Sequence, residues 1–126
     1  MYRCVLAAIA ALGLAATAAA QVQRNFPQTA LRGSLTVEAP PSITLNGKPA
    51  RLAPGARIRS QQNMVALSGA LIGAKMLVHY TLDNQGLVKD VWILTPDEAA
   101  KKPWPVTPLE AQSWSFDPVA QTWTKP

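Results

Sequence analysis

The alternation of apolar and polar residues predicts short β-strands over most of the chain. From residue 31 to residue 38, odd positions are apolar or Gly and even positions are polar, which is the period of a half-buried strand. Pro40-Pro41 ends this strand. Asn46-Gly47 then follows a short apolar run, and this dipeptide favours the two-residue turn of a β-hairpin. Lys48 to Leu52 is the predicted return arm, and Pro54-Gly55 predicts the next turn.

A second hairpin is predicted between residues 75 and 94. Residues 75–82 carry apolar side chains at both alternating sets of positions, which indicates a central strand. Asp83 to Gly86 has the composition of a hairpin loop, and residues 87–94 form the returning strand. Thr95-Pro96-Asp97-Glu98 then predicts a helix with a capping box, which Pro103 ends after about two turns.

These patterns predict a mainly β domain over residues 30–102. We expect five or six short antiparallel strands in a small barrel-like or sandwich sheet, with one short helix after the last long hairpin. Residues 21–29 are polar and predict an extended lead-in. Residues 103–126 contain five Pro and three Trp with almost no periodicity. We therefore expect a Pro/Trp-rich tail that is extended or disordered.

The first twenty residues have the layout of a secretory signal peptide. Arg3 supplies the basic start, residues 5–16 are almost wholly apolar, and Ala18-Ala19-Ala20 has the small residues of a cleavage site. The apolar run is shorter than the roughly 20 residues of a membrane span. We therefore expect cleavage after Ala20, no transmembrane segment in the mature chain, and a periplasmic or secreted location. The remaining 126 − 20 = 106 residues contain no Cys, so the exported domain depends on packing alone.

Basic residues are concentrated in the first half of the chain. Twelve Lys and Arg face seven Asp and Glu, for a net charge of +5. Arg51, Arg57 and Arg59 surround the Pro54-Gly55 turn, where their guanidinium groups can bind phosphate or carboxylate. This predicts an anionic envelope component or an unknown envelope protein as the partner, with an ordinary solvated face as the alternative. Nucleic acid is not expected outside the cytoplasm.

The composition excludes most catalytic and metal chemistry. His79 is the only His and Cys4 the only Cys, so a zinc site built on several nitrogen or sulfur ligands is not available. No nucleophile elbow and no phosphate-binding Gly-rich loop occurs. His79 lies in the middle of a predicted strand, where a structural role is expected. We predict a non-catalytic binding or accessory protein without metal or cofactor, and a small hydrolase using His79 is an alternative.

The tail contains the aromatic residues most suited to partner contact. Trp104, Trp114 and Trp123 combine a large apolar area with a polar N–H group, which is typical of protein interfaces. Packing of the same rings against the sheet is the alternative.

Two resemblances add to these expectations. The segments 24–33, 45–47, 50–59 and 91–95 resemble small exported proteins of Gram-negative bacteria, and this resemblance implies export but no activity. Val78 to Val91 is similar to the hairpin in the C-terminal domain of TonB-type energy-transducing proteins. Trp114-Ser115-Phe116-Asp117-Pro118 is similar to the closing W-x-F-x-P of that domain. This second resemblance implies a partner-binding domain as a further alternative.

Overall fold

The computed structural model describes residues 24–126, so the predicted signal peptide lies outside the described residues. These residues form eight strands, two short α-helices and one 3₁₀ turn. The strands are β1 (Leu31–Val37), β2 (Ser42–Leu45), β3 (Lys48–Arg59), β4 (Val65–Ala66), β5 (Lys75–Leu82), β6 (Val88–Ile93), β7 (Ser115–Asp117) and β8 (Thr122–Thr124). The helices are α1 (Pro96–Ala99) and α2 (Pro108–Ser113), and the 3₁₀ turn spans Ser68–Leu71.

Five strands close into a barrel in the order β1-β2-β3-β6-β5, with β5 hydrogen-bonded back to β1. All neighbouring pairs are antiparallel except β3 with β6, which is parallel. Because β5 lies beside β1, the order β5-β1-β2-β3 is a Greek key. Strand β4 pairs with the end of β3, outside the closed ring. The prediction of a mainly β, barrel-like fold is confirmed, with a second short helix in addition to the predicted one.

The predicted turn at Asn46-Gly47 is present and joins β2 to β3. Both residues have positive φ, +54° and +78°, as this type of hairpin turn requires. The prediction of a turn at Pro54-Gly55 is wrong, since β3 continues through both residues to Arg59. Gly55, with φ +78°, lies where the register of β3 against β6 shifts. The two residues therefore distort one long strand instead of ending it.

Alternation along the strands places apolar side chains inside the barrel. Gly33 of β1 faces the same interior, and its lack of a side chain has a steric reason. A Cβ atom at Gly33 would lie 3.0 Å from the ring of Tyr80 and 3.1 Å from the amide of Asn46. The buried interior residues are Leu31, Leu35, Val37, Ile43, Leu52, Ile58, Val78, Tyr80, Val88 and Val91.

A second layer, which we call the outer layer, covers part of the barrel's outside. It consists of residues 24–30 and 103–126, and it includes α2 and the β7–β8 hairpin. The tail therefore differs from the expectation of an extended or disordered segment. Trp104 and Trp123 are only 5% and 4% exposed and form a core with Phe26, Ala30 and Leu94. Burial of these large rings outweighs the lack of a regular hydrophobic period.

Candidate functional site

Two of the three predicted anion-binding arginines share one face of the barrel. Arg57 and Arg59 lie on either side of Ile58, which faces the barrel interior. Their side chains therefore point outward, because successive residues of a strand alternate between faces. Arg57 is exposed and Arg59 is half-buried. Arg51 is also exposed, but it pairs with Ser42 of β2 and is separated from the other two by the irregular part of β3.

Apolar side chains lie directly beside this pair of arginines. Strand β4 pairs Val65 with Arg59 and Ala66 with Ile58, and Leu67 follows β4 directly in an extended conformation. Val65 is 77% exposed, Leu67 is 74% exposed and the preceding Met64 is 68% exposed. Ala66 packs against the barrel interior, so Val65 and Leu67 on either side of it point outward as Arg57 and Arg59 do. We call Arg57, Arg59, Val65 and Leu67 the basic–apolar face. Exposed apolar side chains grouped in this way are typical of sites of contact with a partner or a membrane.

The stretch of sequence that forms the strands of the basic–apolar face contains no carboxylates. Residues 39–82 contain no Asp or Glu and five Lys or Arg. Asp90 on β6 is the acid that approaches the face, with its Oδ1 atom 3.6 Å from the guanidinium of Arg59. Arg59 also lies over the ring of Trp92, 5.5 Å from its centroid. Arg57 has no ion-pair partner within residues 24–126.

His79 is fully buried between the barrel and the outer layer. Its ring stacks on Trp104 at a centroid distance of 4.0 Å and meets Phe26 edge-on at 4.4 Å. The Nε2 atom lies 3.2 Å from both Nε and Nη2 of Arg32. An Arg side chain can only donate hydrogen bonds, so Nε2 is the acceptor and the proton of the neutral ring is on Nδ1.

This environment keeps the imidazole neutral. Burial, and to a smaller extent the positive charges of Arg32 and Arg24, together lower the pKa of His79 from 6.5 to about 2. A general base needs a free lone pair with which to accept a proton. In His79 that lone pair accepts from Arg32, and Nδ1 has no hydrogen-bond partner within residues 24–126. The arrangement is that of a structural histidine.

A buried ion pair joins the lead-in to α1. Nε of Arg24 donates to Oε2 of Glu98 at 2.8 Å, and Nη2 donates to the other carboxylate oxygen. Arg24 also donates to the carbonyls of Ser60 and Ile93. Glu98 completes the predicted capping box with Thr95. The sequence identified Glu98 through that capping box, but no local signal identified Arg24, which is 74 residues away.

A cavity of about 690 Å³ lies over this buried polar cluster. Its lining includes His79, Arg24, Glu98, Gln62, Asp97 and Lys101. The wall charges of Arg24 and Glu98 neutralise each other, and their hydrogen bonds are made within the protein. Asp97 and Lys101 also line the cavity and form no ion pair within residues 24–126, so the cavity carries one unpaired charge of each sign.

The three predicted partner-binding tryptophans differ in how deeply they are buried. Trp104 and Trp123 are buried in the outer layer, so their rings are not available to a partner. Trp114 is half-buried, and the Nζ atom of Lys125 lies 5.3 Å from its ring centroid. Of the three rings, only that of Trp114 keeps an open surface.

Within residues 24–126, no three His, Cys, Asp or Glu side chains come together as a metal site would require. No helix in that range has the length and apolar character needed to cross a membrane. A scan of protein-family models and searches of curated proteins and of solved structures found no match to this chain.

Proposed function

We propose that this protein is an exported, non-catalytic binding protein that docks on anionic lipid surfaces of the bacterial envelope. The observation that carries the proposal is the basic–apolar face, where Arg59 pairs with the exposed Val65 and where Arg57 and the exposed Leu67 point to the same outward side. Three further observations support it: the signal-peptide layout of residues 1–20, the absence of Cys after Cys4, and the buried, neutral ring of His79, whose Nε2 accepts from Arg32.

A lipid surface matches both halves of the basic–apolar face. Exposed aliphatic side chains enter the boundary between headgroups and acyl chains, while basic side chains remain at the level of the phosphates. Each Lys or Arg near an anionic membrane contributes about 1 kcal/mol of attraction. The planar guanidinium of Arg57 is exposed and can bind a phosphate through two parallel hydrogen bonds. Residues 39–82, which include both strands of the face, contribute no acid to it.

Vesicle sedimentation tests this function. We expect the mature protein to bind vesicles that contain phosphatidylglycerol at low salt, and to bind phosphatidylcholine vesicles far more weakly. Because ions screen exposed charges, binding should weaken as the salt concentration rises. Lack of binding to phosphatidylglycerol vesicles at low salt, or capture of a protein receptor through this face without any lipid binding, would contradict the proposal.

A matched pair of variants locates the docking surface. The double substitution Val65→Ser with Leu67→Ser is expected to weaken vesicle binding about tenfold, since complete burial of one aliphatic side chain is worth about 1.5–3 kcal/mol. The control is Val119→Ser with Leu109→Ser, a second exposed Val and Leu pair, in the outer layer. We expect the control to bind as the wild type does. Equal loss in both double variants would show that general surface hydrophobicity, not this face, is responsible.

A further inference from the structure

Asp90 lies on β6, directly beside the two arginines of the basic–apolar face. The parallel register of β3 and β6 pairs Asp90 with Arg57, while its Oδ1 atom lies 3.6 Å from Arg59. Asp90 thus lies opposite Arg57 in the sheet and within ion-pair distance of Arg59. Oδ2 accepts a hydrogen bond from Thr81 Oγ1 at 3.2 Å, and the backbone N–H of Asp90 donates back to the same hydroxyl. These bonds fix the carboxylate in position.

The two arginines therefore differ in how free they are to bind a headgroup. Arg59 is ion-paired with Asp90, lies over Trp92, and is half-buried. Arg57 is exposed and has no ion pair within residues 24–126. With Asp90 ionised, the three charged groups sum to a single positive charge. Without the carboxylate they would sum to two.

We infer that Asp90 sets the strength of anionic-lipid binding by competing with the lipid phosphate for Arg59. This inference rests on the proposed function and adds a residue that tunes it. Arg57 makes the first contact with a phosphate, and Arg59 joins only when a phosphate displaces the Asp90 carboxylate. The exchange costs little, since an ion pair that is a quarter exposed at both side chains is partly screened by water. The face therefore binds densely anionic surfaces better than sparsely anionic ones.

The test compares Asp90→Asn with Asp117→Asn. Both substitutions raise the net charge by the same amount, and Asp117 lies in β7 of the outer layer. Asn keeps an oxygen that can accept from Thr81, and thermal unfolding checks that both variants are folded. We expect Asp90→Asn to bind phosphatidylglycerol vesicles about fivefold more tightly at low salt, which corresponds to about 1 kcal/mol for one released cation. Asp117→Asn should bind like the wild type.

A double-mutant cycle distinguishes competition for Arg59 from a simple charge effect. In an Arg59→Gln background, the increase in vesicle affinity caused by Asp90→Asn should fall by at least half, because the guanidinium for which Asp90 and the phosphate compete is absent. An undiminished gain in that background would overturn the inference. So would equal binding by Asp90→Asn and Asp117→Asn while the wild type binds normally. If the wild type does not bind these vesicles at all, it is the proposed docking function that fails.

Discussion

Lowering the pH from about 6.5 to about 4.5 is expected to reduce the free energy of unfolding by about 2–3 kcal/mol through His79 alone. In the unfolded chain, this imidazole takes up a proton near its ordinary pKa of 6.5. In the folded protein, burial and then the charges of Arg32 and Arg24 hold the pKa at about 2. Between these values the unfolded state binds one more proton, so stability rises with pH across the window and falls on acidification.

The substitution His79→Gln is the variant that isolates this effect. A Gln amide oxygen can accept from Arg32 as the imidazole does, but it does not titrate. We expect the variant to have a nearly flat stability profile from pH 6.5 down to pH 4.5. Urea unfolding followed by Trp fluorescence measures the free energy at each pH. A flat profile in the wild type, or an unchanged slope in the variant, would contradict the assignment of a neutral buried ring.

Glu98 does not contribute to the change in stability between pH 6.5 and pH 4.5. Burial works to raise the pKa of Glu98, but hydrogen bonds from Arg24 and Thr95 outweigh it and hold the pKa below the ordinary value of 4.5. A carboxyl group with a lowered folded pKa contributes stability above its unfolded pKa. That contribution is lost as the pH falls through the folded value. Glu98 should therefore add a second decline only below about pH 4.5.

Trp104→Ala is expected to cost about 3–5 kcal/mol of folding free energy, the usual range for removal of a buried aromatic side chain. The indole of Trp104 stacks on His79 at 4.0 Å, and its Nε1 donates to the carbonyl of Ala30 at 3.0 Å. It also contacts the rings of Phe116 and Trp123, at centroid distances of 5.9 and 6.0 Å. The substitution therefore removes contacts to the barrel, to the lead-in and to the tail at once.

Trp114→Ala is the matched control, because Trp114 is in the same tail but only half-buried. We expect a clearly smaller loss of stability from this variant in urea unfolding. Limited proteolysis followed by mass spectrometry should show new cleavage within residues 103–126 of Trp104→Ala. If Trp104→Ala leaves too little folded protein, Trp104→Phe should show a smaller loss in the same direction. Equal losses for the two Ala variants would contradict the packing of the outer layer on the barrel.

Local patterns predicted the parts of the fold that depend on near neighbours in the chain. The alternation in residues 31–38 predicts β1, Asn46-Gly47 predicts the hairpin turn between β2 and β3, and Thr95 with Glu98 predicts the capping box of α1. Each of these signals comes from backbone conformations or hydrogen bonds that span only a few residues. Pro54-Gly55 was misinterpreted because the same residue types suit both a turn and a distorted strand.

The outer layer could not be predicted in this way. Its central contacts join positions far apart in the chain: Trp104 to Ala30 across 74 residues, and Gln121 to Phe26 across 95 residues. Such contacts leave no period in the sequence. They form because Trp104 and Trp123 carry large apolar areas that are buried more favourably against the barrel than left in water.

Signals between neighbouring residues are enough to predict the β character of the domain and its two hairpins, because alternation and turn chemistry act over a few positions. That Val65 pairs with Arg59, that Asp90 approaches Arg59 and that Trp104 covers His79 follows only from how distant segments pair and pack. Strand pairing and the packing of distant segments create these neighbours, and neither the register of a pair nor the burial of a ring is encoded within a short stretch of chain.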